Sequence, residues 1–399
     1  MSTSLWEEAG IGLTCAKLAP PDGRRIAVGC DDAAVRIWDL TKDKETKGAS
    51  KEVCQVLLGH KNGFPVFDVS WNKDGRSLLS AGGDGSIRLW DTMAQGPFGQ
   101  VYDDPLTPPS SSTSPKKSSD NKPLTNAIAK EALTKSTAAL QEARHQPDMS
   151  VPGLKPESTS YQSGAALAVY RGHAPNTPVW SVAFAPSGYY FASAGGDATA
   201  RLWTTDRPTP VRLFAGHTSD CVHSVCFHPN TNYILTGSED RTARLWDIQT
   251  GRCVRLLNGC KTGIHKVQVD PTGKYAVGAD AMGTIHMWDL GTGKKVTEFR
   301  AKNMSAGASR DTKSNWGMLH AMAFSACGTA LATGGDDQCV RIWDIQQVLR
   351  GKSPVVEYPR KSFPTRRTMI LDLEFTKRNL LLSAGKYISA VPLFNPISD

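Results

Sequence analysis

Short runs in which apolar and polar residues alternate fill most of the chain, separated by clusters of Gly, Pro, Asp and Asn. Leu13–Leu18, Arg25–Cys30 and Ala34-Val-Arg-Ile-Trp38-Asp39 are one such group, with a turn signal at Pro21-Asp-Gly23. After a Lys-rich loop from Thr41 to Lys51, Glu52–Leu58 adds a fourth run. The next group holds Asp68-Val-Ser-Trp71, Ser77 to Ala81 after Lys73-Asp-Gly75, and Ser86-Ile-Arg-Leu-Trp90. A period of two places alternate side chains on opposite faces, so these runs predict short antiparallel strands joined by tight turns.

The groups repeat. Tyr170-Arg-Gly-His173 and Phe214-Ala-Gly-His217 each open a unit that passes through Ser193 or Thr236 and Asp197 or Asp240 to an Ala-Arg-Leu-Trp ending at Trp203 or Trp246, a repeat of 43 residues from Trp to Trp. A Gly-His start, an Asp in a tight turn and a closing Trp at this period are the signature of WD40 blades, four-stranded sheets packed radially. Seven units can be marked, at about 40–45 residues each. The expectation is therefore an all-β, seven-bladed WD40 β-propeller with a long disordered insertion in blade two. Residues 1–91 hold blades one and two, residues 92–164 the insertion, and residues 165–399 the rest of blade two and blades three to seven.

Three blades depart from the pattern. Blade five keeps Trp288 but has Cys260, Gly278 and Met282 where His, Ser and Asp are expected. Losing the polar partners together is tolerable, because a single orphaned buried group costs about 1–3 kcal/mol whereas removing both is nearly neutral. Blade six keeps Thr333, Asp337 and Trp343, lacks a Gly-His opening and has a lengthened loop at Asn303–Ser314. Blade seven has no Trp; Met369–Phe375, Asn379–Gly385 and Ile388–Phe394 give three strands, and Ser2–Glu7 is expected to supply the fourth and close the ring. Within the insertion, Pro105 to Lys117 is too polar and Pro-rich to bury a core, Asn126 to Ala143 has the composition of a transient helix, and Thr107-Pro and Ser114-Pro are candidate phosphorylation positions. Ala166–Tyr170 directly precedes the next Gly-His, which makes it the outer strand of blade two and puts the insertion between that blade's third and fourth strands.

Composition adds limits. Hydrophobic residues make up 40% of the 399, with ten Trp, enough for a large core, and no run reaches the roughly 18 apolar residues of a membrane span. The first residues lack the basic start and apolar core of a secretory signal, so the expectation is a soluble intracellular protein with no membrane partner. Nine cysteines without a C-x-x-C pair read as buried reduced thiols rather than a zinc or redox motif. A net charge of +8 permits an acidic or nucleic-acid neighbour without requiring one.

The chemistry-bearing residues resolve mostly into architecture. His60/Ser80/Asp84/Trp90, His173/Ser193/Asp197/Trp203 and His217/Thr236/Asp240/Trp246 are expected to form buried networks running from Asp to His, to the hydroxyl, to the indole. A hydrolase triad is the competing reading; recurrence in three blades and the absence of a G-x-S-x-G elbow oppose it. Gly291-Thr-Gly-Lys-Lys295 resembles part of a phosphate loop, but the required first glycine falls on Trp288. His217, His223 and His228 do not share an element in a converging way, so no metal, cofactor or small-molecule substrate is expected. Arg350, Lys352, Arg360, Lys361, Arg366 and Arg367 form a basic connection between blades six and seven, read as a solvated loop or as a contact for an acidic partner or DNA phosphates, the latter salt-sensitive. A nuclear-import signal overlaps them.

Several segments narrow the family. Tyr170-Arg-Gly-His, Pro178-Val-Trp-Ser-Val-Ala-Phe, Gly188-Tyr-Tyr-Phe-Ala-Ser, Ala200-Arg-Leu-Trp-Thr-Thr-Asp-Arg and Pro210-Val-Arg-Leu-Phe-Ala-Gly-His217 resemble the propeller of the transcription initiation factor TFIID subunit 5 family. Gly12-Leu-Thr-Cys-Ala and the Trp-less run Phe375-Thr-Lys-Arg-Asn-Leu-Leu-Leu-Ser-Ala-Gly385-Lys-Tyr are similar to that family's first and last blades. The resemblance covers nearly everything except Thr92–Gly164. It implies a nuclear, non-enzymatic scaffold in TFIID for RNA polymerase II initiation, packed against histone-fold and other subunits, with the same subunit or a paralogue serving a SAGA-type coactivator. That family's N-terminal helical region and LisH-type segment have no counterpart in this sequence, so their functions are not carried over. The alternative is a generic WD40 adaptor of a ubiquitin ligase or RNA-processing assembly. Ligase receptors often carry W-D-x-R, and here the fourth position is Thr41, Met93, Gln249, Gly291 or Gln346.

Overall fold

The computed structural model describes residues 12–21, 23–40, 55–93, 166–300, 317–351, 353–365, 367–376 and 380–387. Every statement on structure below concerns these residues, which belong to one compact unit comprising Met1–Val101 and Tyr161–Asp399.

The alternating runs form antiparallel meanders. Blade one is Leu13–Leu18, Arg25–Cys30, Ala34–Asp39 and Gln55–Leu58; blade two is Val66–Trp71, Ser77–Gly82, Ser86–Asp91 and Ala166–Arg171. Blade three runs from Val179–Phe184 to Arg212–Ala215, blade four from Val222–Phe227 to Cys253–Leu257, and blade five from Ile264–Val269 to Lys295–Phe299. Blade six consists of Leu319–Phe324, Ala330–Gly335, Cys339–Asp344 and, after an excursion, Lys361–Pro364. A last sheet pairs only Thr368–Phe375 with Leu381–Tyr387. Six blades are complete, where the sequence pattern led us to expect seven; the remaining strands assigned to blade seven, Ile388–Phe394 and Ser2–Glu7, lie outside the described residues.

The first strand of each sheet packs beside the first strand of the next, and Thr368–Phe375 lies between those of blades six and one, so the inner strands form a closed ring. The core is accordingly divided between neighbours. Leu57, Val66, Val69 and Trp90 share one cluster between blades one and two, and Leu371 joins Ala16, Val28 and Trp38 between the last sheet and blade one. Seven such clusters separate the sheets. Each blade buries apolar side chains on both faces, which is why second strands such as Tyr190–Gly195 are buried almost end to end while outer strands such as Arg212–Ala215 are largely exposed.

Polar bonds stitch the inner strands together. Asp68 accepts from Ser181 Oγ (2.9 Å) and Val182 N (3.0 Å), Trp71 Nε1 donates to Lys17 O (3.0 Å), and Val267 N donates to Ser224 Oγ (3.2 Å). Lys17 of blade one pairs with the buried Asp372 of the last sheet, so an ion pair helps close the ring. Burial works against the charge on Lys17, but the Asp372 carboxylate outweighs it and raises the ammonium above its ordinary range.

The stretch between blades six and seven, read from sequence as a solvated basic loop, is structured. Ile345–Gly351 is a short helix, α1, that buries Ile345 and Val348. Val355–Val356 then pairs in parallel with Lys295–Phe299 as a fifth strand on blade five, and Lys361–Pro364 completes blade six. Neither strand has a readable alternation: one is two residues long and every residue of the other is exposed.

Candidate functional site

In blades two, three and four the network residues come from four places: the loop before the inner strand, the second strand, the turn into the third, and the third strand, which carries the Trp. In blade three His173 Nδ1 lies 3.0 Å from Asp197 Oδ1, His173 Nε2 lies 2.8 Å from Ser193 Oγ, and Trp203 Nε1 donates to Ser193 Oγ at 2.9 Å. Blade two repeats this with His60–Asp84 at 3.1 Å, His60–Ser80 at 2.7 Å and Trp90–Ser80 at 2.8 Å. Blade four repeats it with His217–Asp240 at 2.8 Å, His217–Thr236 at 2.8 Å and Trp246–Thr236 at 2.9 Å.

Proton positions follow from the partners. The indole can only donate, so the hydroxyl oxygen accepts from it; a hydroxyl that gives its own hydrogen to His Nε2 leaves Nδ1–H for the carboxylate, the arrangement of a neutral imidazole. Burial pushes His60 and His217 below their ordinary value of 6.5 and outweighs the pull of Asp84 and Asp240. Burial alone would raise the Asp84, Asp197 and Asp240 carboxyls, but hydrogen bonds from the histidines, neighbouring hydroxyls and backbone N–H groups hold them well below the usual carboxylate range. Ser80, Ser193 and Thr236 are each 0% exposed, so no substrate reaches these hydroxyls and the triad-like arrangement is structural.

The turn carboxylate has a second task. In blades two, three and four it accepts from the backbone N–H two residues on, at 3.0, 3.2 and 3.0 Å, and the residue between has positive φ: Gly85, Ala198 and Arg241. That left-handed step suits the tight turn, at a cost for Ala198 and Arg241 that the Asp bond offsets.

Blade five is rebuilt. Trp288 Nε1 donates to Asn258 O at 2.9 Å, and Asp280, at the end of the second strand, caps the turn by accepting from Met282 N (3.0 Å) and Thr284 N (2.8 Å). Asp280 also meets His286 Nε2 at 3.1 Å. In blade six Trp343 Nε1 donates to Thr333 Oγ1 at 3.0 Å, and Asp337 pairs with Arg341.

The basic residues are spread over several elements. Arg350 is exposed in the last turn of α1, Arg360 Nη1 lies 3.3 Å from Asp344, Lys361 begins the outer strand of blade six, and Arg367 sits in the turn before the last sheet with φ 51°. Lys352 and Arg366 lie outside the described residues. Gly291–Lys295 is a strand-to-strand turn closed by Gly293 N to Asp289 O at 2.7 Å. The cysteines correct a uniform expectation: Cys15 and Cys30 are buried, but Cys253 and Cys327 are exposed, and Cys54 lies outside the described residues. Hydrogen bonds with Ser325 and Thr329 draw the Cys327 thiol down to about 7.

Of the three histidines weighed for a metal, His217 is in a blade network and His228 Nε2 contacts Gly273 O at 2.9 Å. His223 instead faces His265 and Glu239, neither of which entered the sequence reading. All seven inner strands bulge at one residue: Thr14, Phe67, Trp180, His223, His265, His320 and Leu371. Aligning the blades on that position would have exposed a run of three histidines in blades four to six.

The sequence model of "WD domain, G-beta repeat" matches residues 8–39, 51–91, 164–204, 208–247 and 312–344. The chain carries WD40 repeats. Among individual relatives, this WD40 chain is 30% identical to transcription initiation factor TFIID subunit 5 of Caenorhabditis elegans over 82% of its own length, and it spans 39% of that relative. It is 30% identical to the Arabidopsis thaliana subunit of the same name over 20% of this chain and 14% of the relative. It is 26% identical to the Gallus gallus serine-threonine kinase receptor-associated protein over 46% of this chain and 53% of the relative. None of the described helices is long and apolar enough to cross a membrane.

Proposed function

We propose that this WD40 propeller is a non-catalytic scaffold of the TFIID subunit 5 type, acting in the nucleus in RNA polymerase II initiation. The observation that carries the reading is the 30% identity over 82% of the chain, against 46% of the chain for the Gallus gallus protein. The buried hydroxyls of blades two to four support a binding rather than a chemical role. Partners on this reading are histone-fold and other subunits of TFIID, with a SAGA-type coactivator as a second home. The direct pairing of Trp90 with Ala166 supports reading residues 92–164 as an insertion between two strands of blade two.

The basic residues Arg350, Lys352, Arg360, Lys361, Arg366 and Arg367 are proposed as a contact for an acidic partner or DNA phosphates. Affinity capture of the tagged chain from nuclear extract, followed by crosslinking mass spectrometry, tests the assignment. Histone-fold TATA-binding-protein-associated factors should be recovered with crosslinks to the propeller. Recovery of a ubiquitin ligase or RNA-processing assembly in their place would transfer the chain to the general adaptor class.

A further inference from the structure

Blades four and five bring two imidazoles and a carboxylate together at the end of the ring that carries the Gly-His loops. His223 and His265 occupy the same bulge position on adjacent inner strands, and their rings stack at 4.3 Å with 29° between planes. Both Nε2 atoms address one oxygen of Glu239, at 3.1 Å from His223 and 3.7 Å from His265. The ligating atoms of all three residues fall within 4.8 Å of one another. The side chains of His223 and His265 are only 17% and 20% exposed, while Glu239 is 50% exposed and leaves one side open.

The surroundings hold this arrangement in place. Glu239 directly follows the second strand of blade four, with its N–H bonded to Cys221 O at 3.1 Å. Its carboxylate lies against Gly263, where any Cβ would collide with it, so a glycine at the head of blade five makes the room the carboxylate occupies. His223 packs on Trp180 at 5.8 Å, which fixes the ring from the blade-three side. On the blade-six side His320 is held by Asp336 at 2.7 Å.

We propose that His223 Nε2, His265 Nε2 and the Glu239 carboxylate bind one divalent transition-metal ion of the zinc class. Two nitrogens and one oxygen suit zinc, nickel or cobalt better than the all-oxygen shells preferred by magnesium and calcium. With bonds of about 2.0–2.2 Å, tetrahedral ligand atoms stand about 3.4 Å apart, close to the histidine-to-carboxylate spacings of 3.1 and 3.7 Å. The open side leaves a fourth position for water or for a side chain of a docked partner. The metal would then tie blade four to blade five at a surface where a scaffold meets its neighbours.

Isothermal titration of the chelator-treated full chain with zinc chloride tests the site, alongside cobalt(II) absorption spectroscopy of the wild-type protein. We expect one equivalent bound, with a tetrahedral cobalt spectrum lacking the thiolate charge-transfer band that a cysteine ligand gives. The His223→Ala/His265→Ala double variant should lose stoichiometric binding. Glu239→Gln, which keeps the shape of the side chain, should weaken it by about tenfold or more. Cys327→Ser should bind as wild type does, because its exposed thiol is not a ligand. Absence of stoichiometric binding, survival of binding in the double variant, loss in Cys327→Ser, or a thiolate band in the wild-type cobalt spectrum would each overturn the proposal. Should the double variant not fold, the wild-type cobalt spectrum and the Glu239→Gln titration decide it.

Discussion

Blades three and five perform the same packing task with different polar solutions. Both bury a closing Trp completely, and in both the indole N–H is satisfied. In blade three the partner is Ser193, and the bond is one link in a chain through His173 to Asp197. In blade five Gly278 replaces the serine, the Trp288 ring settles against that glycine, and Asn258 O takes the bond. Asp280 performs the turn-capping work that Asp197 does in blade three. The blade therefore requires a filled apolar slot and no orphaned buried donor, rather than one residue set.

The comparison can be broken from either side. The largest effect is expected from Asp197→Ala, which strands His173 Nδ1, the loop N–H of Ala174 and the turn N–H of Thr199. At about 1–3 kcal/mol for each poorly satisfied buried group, a loss of about 3 kcal/mol should appear in urea unfolding. Gly278→Ser, the change that would make blade five look regular, should also destabilise. A Cβ there meets the Trp288 ring at 3.0 Å, and overpacking costs about 1–3 kcal/mol. A neutral result would show that the slot is looser than the structure indicates.

Acidification should weaken the regular blades next. His60 and His217 have folded-state pKa values below the ordinary 6.5, so the unfolded chain takes up protons first and stability falls as pH drops below about 6.5. Asp84, Asp197 and Asp240, also depressed, extend the loss below their ordinary value of 3.8. Glu374 in the last sheet has the opposite sign: burial, helped by the Asp372 charge, raises its carboxyl from 4.5 to about 7. Its ionisation costs the folded state increasingly as pH rises from 4.5 to about 7. Glu374→Gln should accordingly gain stability over wild type across that window, with the gain levelling off above it. Urea midpoints measured from pH 2 to 8 check both signs.

The smallest effect is at the turns. Ala198 has φ 62° in blade three, and Gly283 has φ 75° at the corresponding turn of blade five. Ala198→Gly should stabilise by about 0.5 kcal/mol, the relief of the left-handed strain less the added freedom of the unfolded chain, and Gly283→Ala should destabilise by about 1 kcal/mol. Thermal unfolding of the two variants measures the pair.

Much of this fold was legible because it is local. Period-two alternation, Asp-Gly turns and the Trp spacing each mark one blade without reference to another, so the regular blades and their network residues could be placed one by one. Blade seven was harder: its first two strands were read near their observed positions, but two strands among the described residues do not make the complete blade that a periodic count suggested. The excursion after blade six was missed because its pieces, a short helix and two brief strands, owe their form to the edges they pair with.

Sequence by itself determined which residues fill the blades, since burial on both faces of a sheet demands small or apolar side chains nearly end to end in second strands such as Tyr190–Gly195. Tertiary structure alone decided what meets between blades. Val355 reaches blade five through the parallel pairing of its short strand, Lys17 finds Asp372 across the closing seam, and His223, Glu239 and His265 converge because ring geometry stacks equivalent bulges side by side. Apart from the bulge position shared by the two histidines, these residues carry no periodic signal of their proximity. Only the closure of the ring brings them within bonding distance.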